Sequence, residues 1–222
     1  MIYSIALDGP GGAGKSSIAK QVAKQKGIVY VDTGAMYRAI ALYMLKNEID
    51  IHNQDAVVKR LDGVQINLEY RDGTQCVILN GEDVSTAIRE NPVSMAASVT
   101  SAYKQVRAFL MDTQRNVAKT TSVIMDGRDI GTVVLPDAQV KIFLSADARV
   151  RAARRHKELL EKGQDVDFDT VLADIQQRDW QDINRTEAPL KQAEDAVLLD
   201  TSDLDFDQAV QAVLDLIDKK VR

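Results

Sequence analysis

Gly9-Pro10-Gly11-Gly12-Ala13-Gly14-Lys15-Ser16 fits the spacing G-x-x-x-x-G-K-[ST], in which a glycine-rich turn wraps its backbone N–H groups around phosphate. Glycine lets successive amides face inward, and the helix that follows presents the positive end of its dipole. Lys15 then reaches the outer phosphates, the Ser16 hydroxyl can hold Mg²⁺, and Ser17 continues the loop into the helix. Four specified positions would match by accident in about one chain in a hundred of this length. The alternative is a plain glycine-rich turn. The context favours phosphate: a β-rich run, Ile2 to Leu7, precedes the motif, and apolar Ile18, Ala19, Val22 and Ala23 at helical spacing follow it.

A phosphate loop calls for a nucleotide polyphosphate and is silent on what receives the phosphoryl group. Asp126 ends the apolar run Val123 to Met125, where a carboxylate can order water around Mg²⁺, unless it is only a strand-end acid or helix cap. Asp126-Gly127-Arg128-Asp129 falls at the carboxyl end of that strand, the rim on which α/β sheets assemble sites. Arginine there can grip a phosphate with two bonds, and a carboxylate can accept from the exocyclic amine of a base. A local Arg–Asp ion pair is the plainer reading. Arg38 is a further anion clamp or, taken alone, a surface arginine. Arg149, Arg151, Arg154, Arg155, His156 and Lys157 crowd one predicted helix, and Arg178 and Arg185 follow the acidic loop Asp165-Val166-Asp167. Most of these read as a solvated helix face. Arg154 or Arg155, Arg178 and Arg185 are read instead as lid cations that swing onto the transferring phosphates. His52 and His156 read as surface residues, Trp180, Tyr37 and Tyr43 as packing residues, and Cys76 as a small buried hydrophobe.

The elements that must hold these groups follow from periodicity. Ile28 to Val31, Val123 to Met125, Val140 to Leu144 and Val197 to Leu199 join the first run as short apolar strands separated by helical stretches. Met36, Ile40 and Met44 mark one face of a helix running to about Asn47, and Asn91 as N-cap, with Pro92 at the first helical position, should open a long helix through roughly Ala118. Val64, Ile66, Leu68 and Tyr70 alternate with polar residues before a turn at Asp72-Gly73 and a return over Gln75 to Asn80, an inserted β-hairpin. Arg149 to Lys162 and Phe168 to Trp180 form two charged helices, and Phe206, Val210, Val213 and Ile217 face inward on a closing one. The expected fold is α/β, a doubly wound five-stranded parallel sheet with an inserted hairpin and helix region and a helical lid. Its expected parts are a core of residues 1–50, 119–148 and 190–222, an insertion over about 51–118 and a lid over about 149–189.

The 222 residues, 45% of them hydrophobic, suffice for a conventional core without staples. A net charge of −5 disfavours nucleic acid as a partner. One cysteine excludes an intrachain disulfide or a cysteine-held metal. The first fifteen residues carry no basic leader, and no apolar run approaches the ~18 residues of a membrane span. The expectation is a cytoplasmic monomer acting on small molecules.

The segments GPGGAGKSS, VDTGAMYR, NGEDVSTAIR, MDGRDIGTVVLPDA, VKIFL and QQRDWQDINR, with the APL that follows, closely resemble the bacterial cytidylate kinases along essentially the whole chain. The hairpin ending in NGEDVS resembles the CMP-side insertion that other short nucleoside monophosphate kinases lack. The resemblance implies that Gly9 to Ser17 hold ATP with Mg²⁺ and that the acceptor is CMP or dCMP. It implies that Arg38, Arg128 and Arg185 grip the acceptor phosphate. Ser98, Arg107 and Asp129 would then recognise cytosine, and Thr33, Arg178 and Asp182 the ribose. Two alternatives stand beside it: a kinase for another monophosphate such as UMP, and a P-loop switch that signals by conformational change. No N-K-x-D guanine-reading motif supports the switch.

Overall fold

The structure is a computed structural model describing residues 2–71, 73–161 and 163–221. Asp72 of the expected hairpin turn and Lys162, the expected end of a helix, lie outside the described residues, as does Met1.

The first half of the sheet is built from β1 (Ser4–Asp8), α1 (Lys15–Lys26), β2 (Val29–Asp32) and α2 (Thr33–Lys46). A short α3 (Gln54–Arg60) leads into the hairpin β3 (Ile66–Arg71) and β4 (Thr74–Leu79), to which a two-residue β5 (Glu82–Asp83) adds. Then come α4 (Asn91–Thr100), α5 (Lys104–Thr120) and β6 (Val123–Gly127), with a π-helical turn over Ile130–Val134. The chain closes with β7 (Val140–Ser145), α6 (Ala148–Glu161), α7 (Phe168–Asn184), β8 (Val197–Asp200) and α8 (Phe206–Lys220). Five strands pair in the order β2-β6-β1-β7-β8, and every pairing is parallel. β6 is buried along its length and β1 nearly so, as helices on both faces require. On one face α1 and α8 press Ile18, Val22, Val210, Val213 and Ile217 against Ile5, Leu7, Ile142 and Leu144. Each such side chain contributes roughly 1.5–3 kcal/mol of burial. On the other side Met36, Ile40 and Met44 of α2 gather the hairpin and α4 into a second apolar cluster. Ala152, Leu159, Val171 and Ile175 zip α6 to α7.

Five local expectations are corrected, the first of them Phe206, which is 49% exposed at the start of α8 rather than turned inward. The helix expected from Asn91 through Ala118 is two, broken over Ser101 to Tyr103. Thr100 Oγ1 donates to Ala96 O at 3.1 Å and Ser101 Oγ to Ser98 O at 3.2 Å, so their hydroxyls compete for helix carbonyls. Tyr103 turns out in extended conformation, and its hydroxyl donates to Ile51 O at 2.8 Å. The cap of α4 is Glu90 rather than Asn91. Trp180 is 67% exposed and Cys76 only half-buried. Among the described residues no helix is long and apolar enough to cross a membrane.

Candidate active site

The phosphate loop leaves β1 at Asp8, whose carboxylate accepts the N–H groups of Ile130 and Gly131 at 2.7 Å each. Burial pushes the Asp8 carboxyl up to about 6, against those two donors. Gly9 follows at φ 148°, where a Cβ would lie 2.0 Å from Leu144 O, so only glycine fits. Gly14 starts α1 in the left-handed region without a side-chain cap, leaving the first amides of the helix for an anion. Buried Lys15 donates to Pro10 O at 2.6 Å. Burial, and then the neighbouring Arg128 guanidinium, pull its ammonium down to about 7.

Asp126, at the end of β6, is held from three directions. Ser16 Oγ donates to Oδ2 at 2.8 Å, the Tyr30 hydroxyl to Oδ1 at 2.9 Å, and Thr33 Oγ1 to the Asp126 carbonyl at 2.8 Å. Burial, with the Asp32 carboxylate alongside, pushes the Asp126 carboxyl up. A hydroxyl and a carboxylate oxygen so close together at the loop are the hard oxygen donors that Mg²⁺ takes beside phosphate and water.

Across from the loop, Asp32 at the end of β2 caps α2 by accepting Ala35 N–H at 2.8 Å. Its other oxygen lies 3.0 Å from both Arg38 and Arg89. Burial pushes Asp32 upward, but the two guanidinium groups hold it below the usual carboxylate range. Arg128 Nε donates to Asp182 Oδ2 at 2.7 Å. Arg185 sits 3.7 Å from both Asp182 and Asp129, and Arg107 pairs with Asp129 in a buried contact beneath the Tyr37 ring. Ser98 Oγ, on α4, donates to Gln181 Oε1 of α7 at 3.0 Å.

These groups line one cleft of about 390 Å³, with eight cationic side chains against five carboxylates. Three arginines there keep a buried nitrogen without a hydrogen-bond partner: Nε of Arg38, Nε of Arg178 and Nη2 of Arg185. Buried polar groups are rarely left so. Burial, then repulsion from Arg128, lowers Arg178, and burial, then Arg107, lowers Arg185. Guanidinium N–H groups left open in this way are donors that a phosphate-like anion accepts from.

Gly11, Gly12, Lys15, Ser16, Thr33, Arg38, Ser98, Arg107, Asp126, Arg128, Asp129, Arg178, Asp182 and Arg185 all border this cleft. Gly9, Pro10, Ala13 and Gly14 build the loop behind it, and Ser17 faces a separate hollow between α1 and the hairpin. Arg154 also lies outside the cleft. Its Nη2 donates to Thr201 O at 2.6 Å and Leu204 O at 3.4 Å, outside the cleft, while neighbouring Arg155 lines it. Spacing on one helix cannot separate two adjacent arginines whose directions differ by ~100°. Sequence reasoning also missed Tyr30, Arg89 and Arg151. Buried Arg151 donates to Ala146 O at 2.8 Å, to Gly11 O of the loop at 2.9 Å and to Asp179 Oδ2 of α7 at 2.7 Å. In the sequence it is one of a crowd of basic residues, with nothing to set it apart.

Residues 5–219 match the family model described as cytidylate kinase. A cytidylate kinase of Caldicellulosiruptor bescii is 49% identical over 219 residues, spanning 99% of this chain and 97% of that one. That of Shouchella clausii is 44% identical, spanning 99% of this chain and 98% of its own. A crystal structure of an uncharacterised protein from Eubacterium ventriosum superposes with a TM-score of 0.52 at 15% identity, covering 98% of this chain and 99% of that one. That likeness concerns the fold alone.

Proposed function

The chain belongs to the cytidylate kinase family, and we propose that it transfers the γ-phosphoryl group of ATP to CMP or dCMP with the cleft residues in the following roles. Gly9 to Ser17 cradle the triphosphate, and Lys15 neutralises charge that builds on the oxygens in flight. Arg38, Arg128 and Arg185 hold the acceptor phosphate in line with it. Arg107, Asp129 and Ser98 read the cytosine edge, and Thr33, Arg178 and Asp182 meet the ribose. Ser16 and Asp126 would hold Mg²⁺, which would neutralise charge on the outer phosphates. The acceptor phosphate is already largely ionised at neutral pH, so Asp129 reads the base and takes no proton. Positioning and charge neutralisation supply the acceleration.

Segment 51–118 serves the acceptor side, and 149–189 closes as a lid that excludes water, which would otherwise divert ATP to hydrolysis. We read the enzyme as a cytoplasmic monomer that acts on small molecules. The observation that carries this reading is the set of buried arginine N–H groups left open beside the P-loop lysine. ADP release followed by a coupled assay against CMP, dCMP, UMP and AMP tests it. Rapid turnover with CMP and dCMP is expected, with little hydrolysis in their absence. Preference for UMP, or acceptor-independent hydrolysis, would overturn it.

A further inference from the structure

β2 is an outer strand of the sheet, paired with β6 on one side only. The backbone polar groups of successive strand residues point to alternate edges. Val29 N donates to Ser122 O at 3.0 Å, toward β6, so Tyr30 and Asp32 present theirs to the open edge. An open edge leaves such groups to water or to an unwanted partner strand. Here the hairpin covers them with side chains. Tyr70 and Gln75 face each other across β3 and β4. The Tyr70 hydroxyl donates to Tyr30 O at 3.2 Å. Gln75 Oε1 accepts Asp32 N–H at 2.9 Å, and Gln75 Nε2 donates to Asp32 O at 3.3 Å. A single amide side chain thus grips both backbone groups of one residue, as a neighbouring strand would.

That residue is Asp32, whose carboxylate caps α2 and holds Arg38 and Arg89 at the cleft. We propose that Gln75 is a positioning residue for acceptor binding: through the backbone of Asp32 it fixes the carboxylate that aims Arg38 and Arg89. The proposal rests on the cytidylate-kinase reading of Arg38. It gives the inserted hairpin a part in catalysis although Gln75 does not itself line the cleft. Glutamine suits the part because its amide carries a donor and an acceptor on one end. Leucine matches its bulk without either, and glutamate keeps only the acceptor.

The test is steady-state kinetics of Gln75→Leu, varying CMP at saturating ATP and ATP at saturating CMP. KM for CMP should rise about tenfold, the scale of one lost positioning hydrogen bond, while KM for ATP stays within about twofold. Exchange of the Asp32 amide should quicken while that of Val31 does not. An unchanged KM for CMP, equal rises in both KM values or an unaltered Asp32 amide would overturn the proposal. Should the leucine variant not fold, Gln75→Glu carries the same test, with the same split expected and an unchanged KM for CMP contradicting it. Wild-type protein that failed to phosphorylate CMP would overturn the underlying reading and the proposal together. Wild-type turnover with an unaffected variant would overturn the proposal alone.

Discussion

Lys15 and Asp129 line one cleft with opposite proposed jobs, and their substitutions should separate cleanly. Lys15 lies at the phosphate loop with its ammonium pulled down by burial and Arg128, a charge held for something more anionic than Pro10 O. Lys15→Ala should lower kcat by a factor of order 10³, the usual cost of removing a preorganised charge from the transition state. Single-turnover rates at saturating substrates check this. Asp129 is buried against Arg107 and Arg185. Asp129→Ala should raise KM for CMP by at least an order of magnitude with ATP binding nearly unaffected, which titration with each nucleotide separately would read. Most of these residues were legible in the sequence because the loop motif and the Asp-Gly-Arg-Asp cluster are local patterns. Arg89 and Tyr30 were not, since each matters only through a partner distant in the chain, Asp32 and Asp126 respectively.

Between the elements, the connection that matters most joins α6 and α7 to the phosphate loop. Arg151, near the start of α6, reaches back to Gly11 O and across to Asp179 of α7, so three segments that share no sheet pairing meet at one guanidinium. Arg151→Met keeps the bulk and removes the charge, leaving Asp179 without its cation. A loss of about 3–5 kcal/mol in stability is expected from breaking a buried pair, together with a raised KM for ATP, measured by urea unfolding and kinetics. Helices and strands were readable from spacing, and the parallel sheet from their alternation. The break between α4 and α5 was not, because Thr100 and Ser101 carry no signal that sets them apart from other helical hydroxyl residues. Their effect depends on Ile51 drawing Tyr103 aside. Likewise the apolar pattern of α6 does not say which of Arg154 and Arg155 turns toward the cleft. Packing of Ala152 and Leu159 on α7 decides it.

At the scale of the whole molecule, the buried carboxyl at the end of β1 gives a pH signature. Asp8 has its pKa raised from 3.8 to about 6 in the folded state, so the folded chain holds this proton more tightly than the unfolded one. Its contribution to stability is therefore fully present below about 4 and is lost as pH rises toward 6. Over that interval urea unfolding of Asp8→Asn should show a pH dependence that is less steeply downward by about 1 kcal/mol per pH unit, and equal slopes would contradict the assignment. The fold places that carboxyl, the phosphate loop and the arginines of four helical segments along one rim of the sheet, which the proposed function reads as one continuous site for two nucleotides. A bisubstrate ligand, adenosine and cytidine joined through five phosphates, measures that continuity directly. It should compete with both ATP and CMP and bind at least a hundredfold more tightly than either, as linked sites of suitable spacing allow. Competition with only one of the two substrates, or binding no tighter than ATP alone, would contradict the account.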